Sequence, residues 1–95
     1  MRIYIAGKIT GLPIREYQER FMKAHFKLGQ MGHVPINPIY LSVYGLPYEA
    51  YMEIDKILLS TCDAIYMLSN WEDSPGAFRE MEYANDLGLE ILYEQ

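Results

Sequence analysis

The sequence contains little cysteine, no excess of positive charge and no long apolar run, and each shortage excludes a class of protein. Cys62 is the only cysteine in 95 residues, which excludes an internal disulfide and a zinc site built mainly of thiolates. The 13 acidic residues exceed the 8 basic ones and give a net charge of −5, which disfavours binding to a nucleic-acid polymer. No apolar segment reaches the roughly 18 residues of a membrane span, and the apolar start of the chain is too short for a signal peptide. We therefore expect a cytoplasmic protein with no membrane partner.

The amino-acid composition is typical of a globular protein and is rich in tyrosine. Hydrophobic residues make up 51% of the chain and charged residues 22%, which is typical of a folded protein rather than a disordered one. The length leaves no room for a second core, so we expect one domain over residues 1–95. Nine tyrosines are many for a small core, because each buried hydroxyl needs a hydrogen-bond partner.

Strand-like and helix-like segments alternate along the chain. Short apolar runs bounded by glycine, proline or polar residues predict strands, and apolar residues that recur every three to four positions predict helices. Pro35 indicates that the second strand lies at a sheet edge. Strands are predicted at 3–6, 33–37, 63–68 and 89–93, helices at 14–31, 48–62 and 75–88, and loops at 38–47 and 69–74.

Four strands separated by three helices predict parallel strands joined by right-handed crossovers. We expect a small α/β three-layer sandwich, Rossmann- or flavodoxin-like, with a four-stranded parallel sheet of order 2-1-3-4. In such open sheets ligands bind at the carboxyl ends of the strands, beside the point where the strand order reverses. That point lies between the first and third strands, so a site is expected at the loops that follow Ala6 and Leu68.

Two carboxylates occupy helical positions that the pattern assigns to apolar residues. Asp55 lies on the apolar face of the second helix, four residues before Leu59. Glu80 lies on the apolar face of the third helix, a face that we expect to include Ala77, Ala84 and Leu87. Burying an unpaired carboxylate costs several kcal/mol or raises its pKa, so both acids are candidates for acid, base or nucleophile. The structural alternative is that either acid faces solvent, or that Asp55 pairs with a lysine or caps a loop.

Two loops that follow central strands carry glycines and polar residues. Ser74, followed by proline, predicts the cap of the third helix, and Gly76 in its first turn lets backbone N–H groups approach a ligand. The loop at residues 7–11 has a glycine at each end but is neither a P-loop nor a G-x-G-x-x-G motif. The alternatives are an ordinary capped loop and, for Lys8, a solvated side chain.

The remaining reactive side chains predict no site. His25 and His33 have no second ligand at metal-binding spacing and are interpreted as structural. Cys62 directly precedes the third strand and is expected to be a small buried residue. No serine has the context of a nucleophile elbow, so acyl transfer is not supported. We expect no metal and no cofactor.

Three segments resemble the nucleoside 2-deoxyribosyltransferase-like superfamily. Residues 3–11 resemble its Y-x-A-G-P/S-I opening, and Asp55 precedes Asp63 by eight residues, like its D-x(7)-D element. Residues 76–84 resemble its G-x(3)-E-x(3)-A element. The resemblance covers nearly the whole chain and is greatest to a compact uncharacterised subfamily of bacterial and bacterial-virus proteins.

The resemblance implies cleavage of the N-glycosidic bond of a 2′-deoxynucleoside or its 5′-monophosphate. Glu80 matches the nucleophile that attacks C1′, and Asp55 matches the acid near the departing base. A second base or water then completes a transferase or hydrolase reaction. Tyr4 matches the aromatic residue near the sugar. The other residues expected to bind substrate are Gly7, Lys8, Ile9, Thr10, Asn70, Asp73, Ser74 and Gly76.

Three departures from the superfamily pattern affect these expectations. Ser74, with Asp73 beside it, stands where the superfamily often has an aspartate that holds the sugar hydroxyls. Glu82 replaces a glycine two residues after the nucleophile, and the C-terminal extension of the transferases is expected to be missing. Because a neighbouring subunit commonly completes the pocket in this superfamily, we expect a homodimer or higher homo-oligomer.

Two other functions stay open at this point. The same fold can bind or sequester a nucleotide without cleaving it, and it can act as an NAD-type nucleotide glycohydrolase through the same glutamate. A purely structural role leaves Glu80 and Asp55 unexplained. Tyr40, Tyr44, Tyr48 and Tyr51 cluster before and within the second helix, where they are expected to wall a base pocket or a dimer interface.

Overall fold

The computed structural model describes residues 1–95, and its elements follow the predicted order. The strands and α-helices are β1 (Arg2–Ala6), α1 (Ile14–Gln30), β2 (Val34–Ile36), α2 (Tyr48–Leu59), β3 (Ala64–Met67), α3 (Pro75–Asp86) and β4 (Glu90–Tyr93). Two segments predicted as loops contain short 3₁₀ helices, at Pro38–Tyr44 and Trp71–Asp73. None of the helices is both long enough and apolar enough to cross a bilayer.

The four strands form one parallel sheet of order β2-β1-β3-β4, which confirms the predicted topology. Ile3 of β1 aligns with Pro35 on one side and with Ala64 on the other. β2 has three residues and lies at the sheet edge, as Pro35 indicated. The strand order therefore reverses between β1 and β3, whose last residues, Ala6 and Met67, lie side by side.

The alternation of side chains along β1 and β3 supplies a core on each face of the sheet. Ile3 and Ile5 pack towards α1, against Phe21. Tyr4 and Ala6 point to the opposite face, which α2 and α3 cover. Both central strands are buried on both faces, which explains why their sequences read as continuous apolar runs.

The helices end earlier than the sequence predicted, because side chains and glycines satisfy their last carbonyl groups. α2 ends at Leu59 rather than residue 62, and the Thr61 hydroxyl donates to the Leu58 carbonyl at 2.7 Å. α3 ends at Asp86, and Gly88, with φ of 76°, turns the chain so that Leu89 N–H reaches back into the helix. The expected continuation of the apolar face to Leu87 is wrong, since this residue follows the helix and is 49% exposed.

Candidate active site

A cavity of about 640 Å³ opens at the carboxyl ends of β1 and β3, where the topology predicts a site. One wall is polar and comes from the loop after β1 and the start of α3. The other is largely aromatic and comes from α1, α2 and the 3₁₀ helix at Pro38–Tyr44. The polar wall contains Gly7, Lys8, Ile9, Thr10, Asp73, Ser74, Pro75, Gly76 and Ala77, and the other contains Tyr17, Phe21, Pro38, Ser42, Tyr48, Tyr51 and Met52.

Asp55 and Glu80 meet in this cavity. α2 contributes Asp55 and α3 contributes Glu80, and the two residues are only 9% and 6% exposed. The three ion pairs of the chain involve other residues, so Asp55 does not pair with Lys8 or a neighbouring lysine. Neither acid faces bulk solvent, and the alternative of two solvated carboxylates is therefore wrong.

Tyr4 lies behind Glu80 rather than beside the space for a ligand. Its side chain is fully buried on the α2–α3 face of the sheet, and its hydroxyl donates a hydrogen bond to Glu80 Oε2. The residue is not part of the cavity lining. The observed contact of Tyr4 is with Glu80, and its expected place near the sugar stays a prediction.

The low polarity around the carboxyl pair changes its acidity. Burial raises the pKa of Glu80 well above its ordinary value, and the negative charge of Asp55 raises it further. Burial also raises the pKa of Asp55, while contacts with Glu80 and Tyr4 act in the opposite direction. The pKa of Tyr4 is raised as well, mainly by burial, so its phenol remains a donor. Both shifts favour the protonated form of the pair, and burial raises the pKa of Glu80 more strongly than that of Asp55.

The loop after β1 is fixed by the loop after β3. Lys8 N–H donates to Asn70 Oδ1 at 3.2 Å, and Leu68 N–H donates to the Ala6 carbonyl at 2.8 Å. Asn70 therefore holds the Lys8 backbone in place and does not line the cavity. Its expected role in substrate binding stays a prediction.

The start of α3 presents donors to the cavity. Ser74 caps the helix as predicted, because its Oγ accepts from Ala77 N–H at 3.1 Å. The hydroxyl proton of Ser74 remains free to be donated to a ligand, since only its acceptor side is used within the protein. Together with Gly76 and Ala77 in the first turn, this residue places a helix N-terminus at the polar wall. Helix N-termini favour negatively charged groups.

Gly7 is packed so closely that any larger residue displaces the polar wall. A Cβ at this position would lie 2.7 Å from Leu68 Cδ1 and 3.0 Å from Leu68 Cβ. Leu68 is fully buried. Gly7 therefore allows the loop with Lys8 to pack directly against Leu68, the residue that follows β3.

We expect Gly7→Ala to destabilise the fold by about 1–3 kcal/mol, because overpacking a filled core forces backbone shifts. For a domain of this size the melting temperature falls by roughly 4–8 °C per kcal/mol. The matched control is Gly29→Ala in α1, where a Cβ meets nothing within 4 Å and removal of a helical glycine is expected to stabilise. Equal melting temperatures for both variants by differential scanning calorimetry would contradict the steric argument.

Several cavity residues were not predicted from the sequence as site residues. Tyr17 and Phe21 fit the core-facing stripe of α1, and they do belong to the core while also lining the cavity. Tyr48 and Tyr51 line it as the tyrosine cluster suggested, whereas Tyr40 is 59% exposed and does not. The lining residues Pro38, Ser42 and Met52 carried no separate signal, and the fourth tyrosine of the cluster, Tyr44, is 66% exposed.

The histidines and the cysteine lie outside the site. His25 Nδ1 lies 3.4 Å from the Asn37 amide nitrogen, and His33 Nδ1 lies 3.0 Å from the N-terminal amine. Cys62 is buried and donates to the Leu58 carbonyl. No three side chains among histidine, cysteine, aspartate and glutamate are grouped to hold a metal ion.

Comparison with known proteins identifies the fold and the family. No curated protein matches the chain. The structure of the CMP N-glycosidase BcmB from Clostridium botulinum matches with a TM-score of 0.69 at 16% identity, over 98% of this chain and 67% of that one. This likeness confirms the fold that the resemblance to the nucleoside 2-deoxyribosyltransferase-like superfamily implied. A family model described as a domain of unknown function, DUF4406, matches residues 1–93, and the chain therefore belongs to the DUF4406 family.

Proposed function

We propose that this chain cleaves the N-glycosidic bond of a 2′-deoxynucleoside or its 5′-monophosphate, with Glu80 as nucleophile and Asp55 as acid. The observation that carries the proposal is the buried carboxyl pair, which meets in a cavity and has a phenol donating to one member. A cavity of about 640 Å³ is within the range that encloses a small ligand. The fold likeness to a CMP N-glycosidase supports this reaction class.

The reaction proceeds in two displacements at C1′. A carboxylate oxygen of Glu80 forms a bond to C1′ while the bond from C1′ to the base nitrogen breaks, and the leaving nitrogen takes the proton of Asp55. The product is a deoxyribosyl ester of Glu80. Water, or the nitrogen of a second base, then attacks C1′ and gives its proton to the Asp55 carboxylate. Glu80 leaves as a carboxylate, and the pair regains its starting protonation.

This mechanism needs one proton on the carboxyl pair, and that proton must be on Asp55. In the empty cavity burial instead favours the protonated form of Glu80 more than that of Asp55. A substrate must shift the proton to Asp55 before Glu80 can attack. The Tyr4 hydroxyl favours that shift, since its hydrogen bond stabilises ionised Glu80. We expect a bell-shaped pH profile whose two limbs belong to the pair.

The two walls of the cavity suit different parts of a nucleotide. Lys8 is the only basic residue of the lining. Together with Thr10, Ser74 and the N-terminus of α3, it would bind a 5′-phosphate. The aromatic wall, with Tyr17, Tyr48 and the neighbouring rings, suits the base. A single lysine beside several carboxylates favours a nucleoside or a monophosphate over more highly charged nucleotides.

The test is a panel of deoxynucleosides and deoxynucleoside monophosphates, each incubated with the protein with and without free adenine. We expect released base, measured by liquid chromatography, and adenine exchange if the reaction is a transfer. NAD is included, since turnover of NAD rather than of deoxynucleotides would favour the glycohydrolase alternative. No release and no exchange from any member would contradict the proposal.

A second candidate is a module that binds a nucleotide without cleaving it. Two features favour it. Burial raises the pKa of Glu80 and so disfavours the ionised form that attacks, and Ser74 stands where the superfamily pattern often has an aspartate. Under this alternative a nucleotide raises the melting temperature and is recovered unchanged. The same samples decide between the two functions, since the ligand is analysed after the melting experiment.

A further inference from the structure

Arg79 joins the two helices that carry the carboxyl pair. It directly precedes Glu80 in α3, and its guanidinium donates to both carboxylate oxygens of Glu49, at 2.8 and 3.3 Å. Glu49 is the second residue of α2, so this fork connects the first turn of α2 to α3. A further donation to the Tyr83 hydroxyl at 3.1 Å fixes the orientation of the guanidinium. Bidentate pairs of this kind are geometrically specific.

The Arg79 guanidinium also contacts Tyr48, which lines the cavity. Its central carbon lies 5.6 Å from the ring centroid of Tyr48, the first residue of α2, which is a cation–π distance. Tyr48 also approaches Gly76, where an added Cβ would lie 3.5 Å from the Tyr48 hydroxyl oxygen. Tyr48 therefore contacts α3 at both Gly76 and Arg79, and it lines the cavity.

We propose that Arg79 is a positioning residue that fixes the first turn of α2 against α3, and so holds Tyr48 and Asp55 in place opposite Glu80. Asp55 lies two helical turns after Tyr48 on α2, so a movement of α2 away from α3 separates the two carboxyl groups. The effect on turnover rests on the proposed function, whereas the effect on the geometry of the pair does not.

The test compares Arg79→Met with Arg15→Met, which removes an exposed pair with Glu19 on α1; Arg15 does not line the cavity, and α1 packs on the opposite face of the sheet from α2 and α3. We expect Arg79→Met to lower kcat/KM by roughly 10–100-fold, because small misplacements at a reacting centre are costly. Arg15→Met is expected to stay within about twofold of the wild type, because its contact with Glu19 lies within one helix and joins no two elements. Arg79→Lys is expected to recover only part of the loss, since lysine cannot form the fork.

A second measurement is independent of any substrate. The titration of the Glu80 carboxyl carbon, followed by NMR, is expected to move towards the ordinary range of glutamate in Arg79→Met, because water enters between α2 and α3 and Asp55 moves away. It is expected to stay in place in Arg15→Met. Glu49→Gln shifts the titration in the same direction, and the double variant adds little to either single one.

The turnover assay and the NMR titration test the proposed function and the role of Arg79 separately. Absence of turnover in the wild type contradicts the proposed function, while the titration still decides the role of Arg79. A Glu80 titration that is the same in wild type, Arg79→Met and Glu49→Gln overturns the positioning role. If Arg79→Met fails to fold, Arg79→Lys and Glu49→Gln decide by the same criterion, because both retain polar partners across the helix contact.

Discussion

Glu80→Gln is expected to abolish base release, lowering turnover by roughly 10⁴-fold or more, because a neutral amide cannot form the ester with C1′. Glutamine has the shape of glutamate and can still accept from the Tyr4 hydroxyl, so the cavity is preserved. The matched control is Glu82→Gln, two residues further along α3 and exposed, which is expected to keep wild-type turnover. Residual activity within tenfold of the wild type in Glu80→Gln would assign the attack to another group.

The same variant is expected to be more stable than the wild type, and increasingly so as the pH rises. Burial raises the pKa of Glu80 above that of an unfolded glutamate, so the folded state binds the proton more tightly. The wild type therefore loses stability as the pH rises from the unfolded value, about 4.3, through the raised folded value. Glu80→Gln lacks this loss and is expected to gain about 0.5–2 kcal/mol at neutral pH. Thermal melts between pH 5 and 9 measure the difference, and a gain that shrinks with rising pH would contradict the assignment.

Loss of turnover combined with a gain in stability is diagnostic of a functional carboxylate. Removing a structural residue from a core lowers the stability of the fold. A buried acid that is retained for chemistry lowers stability while it is present, so its replacement raises stability. Two such acids on facing helices, both raised in pKa by burial, are hard to explain by packing alone.

The sequence predicted the topology because each element carried its own signal. The central strands β1 and β3 are continuous apolar runs, and Pro35 marks β2 as an edge. Right-handed crossovers then leave few arrangements, and the site follows from the switch point. Glu80 and Asp55 were found by the same logic, since a charge on an apolar helix face conflicts with the pattern.

Other parts of the site depend on contacts that no local pattern records. Arg79 and Glu49 are 30 residues apart and resemble any charged pair on a solvated helix face. Tyr4 has the spacing of a site residue, but strand alternation turns its ring beneath α2 and α3, behind Glu80. The 3₁₀ helix at Pro38–Tyr44 forms where Asn37 caps a turn begun by Pro38, within a segment that Pro38, Gly45 and Pro47 predict as a loop.

The expected homodimer remains a prediction. The exposed tyrosines of the 3₁₀ helix, Tyr40 and Tyr44, lie outside the cavity and are candidates for such a contact. Light scattering with a Tyr44→Ser variant measures whether this surface joins two copies. The cavity itself already contains both carboxyl groups within one chain, so a partner is expected to extend the pocket rather than to supply the acids.

Asp55→Asn is expected to lower turnover of a natural deoxynucleotide by roughly 10²–10⁴-fold, because the leaving base loses its proton donor. The loss depends on the leaving group, which makes the role of Asp55 measurable. A 2′-deoxyriboside of 4-nitrophenol releases a stable phenolate that needs no proton. With this substrate we expect the loss to shrink to about tenfold or less, since only Glu80 is then required for the first displacement.

The comparison of the two substrates distinguishes an acid from a residue that merely holds the sugar. If Asp55 only positioned the substrate, its replacement would lower both reactions by the same factor. Glu53→Gln, two residues earlier on α2 and exposed, is the matched control and is expected to leave both rates unchanged. The pH profile gives a second criterion. Asp55→Asn is expected to lose the limb on the alkaline side, because no acid remains to be deprotonated, while the acidic limb, which reports ionisation of Glu80, persists.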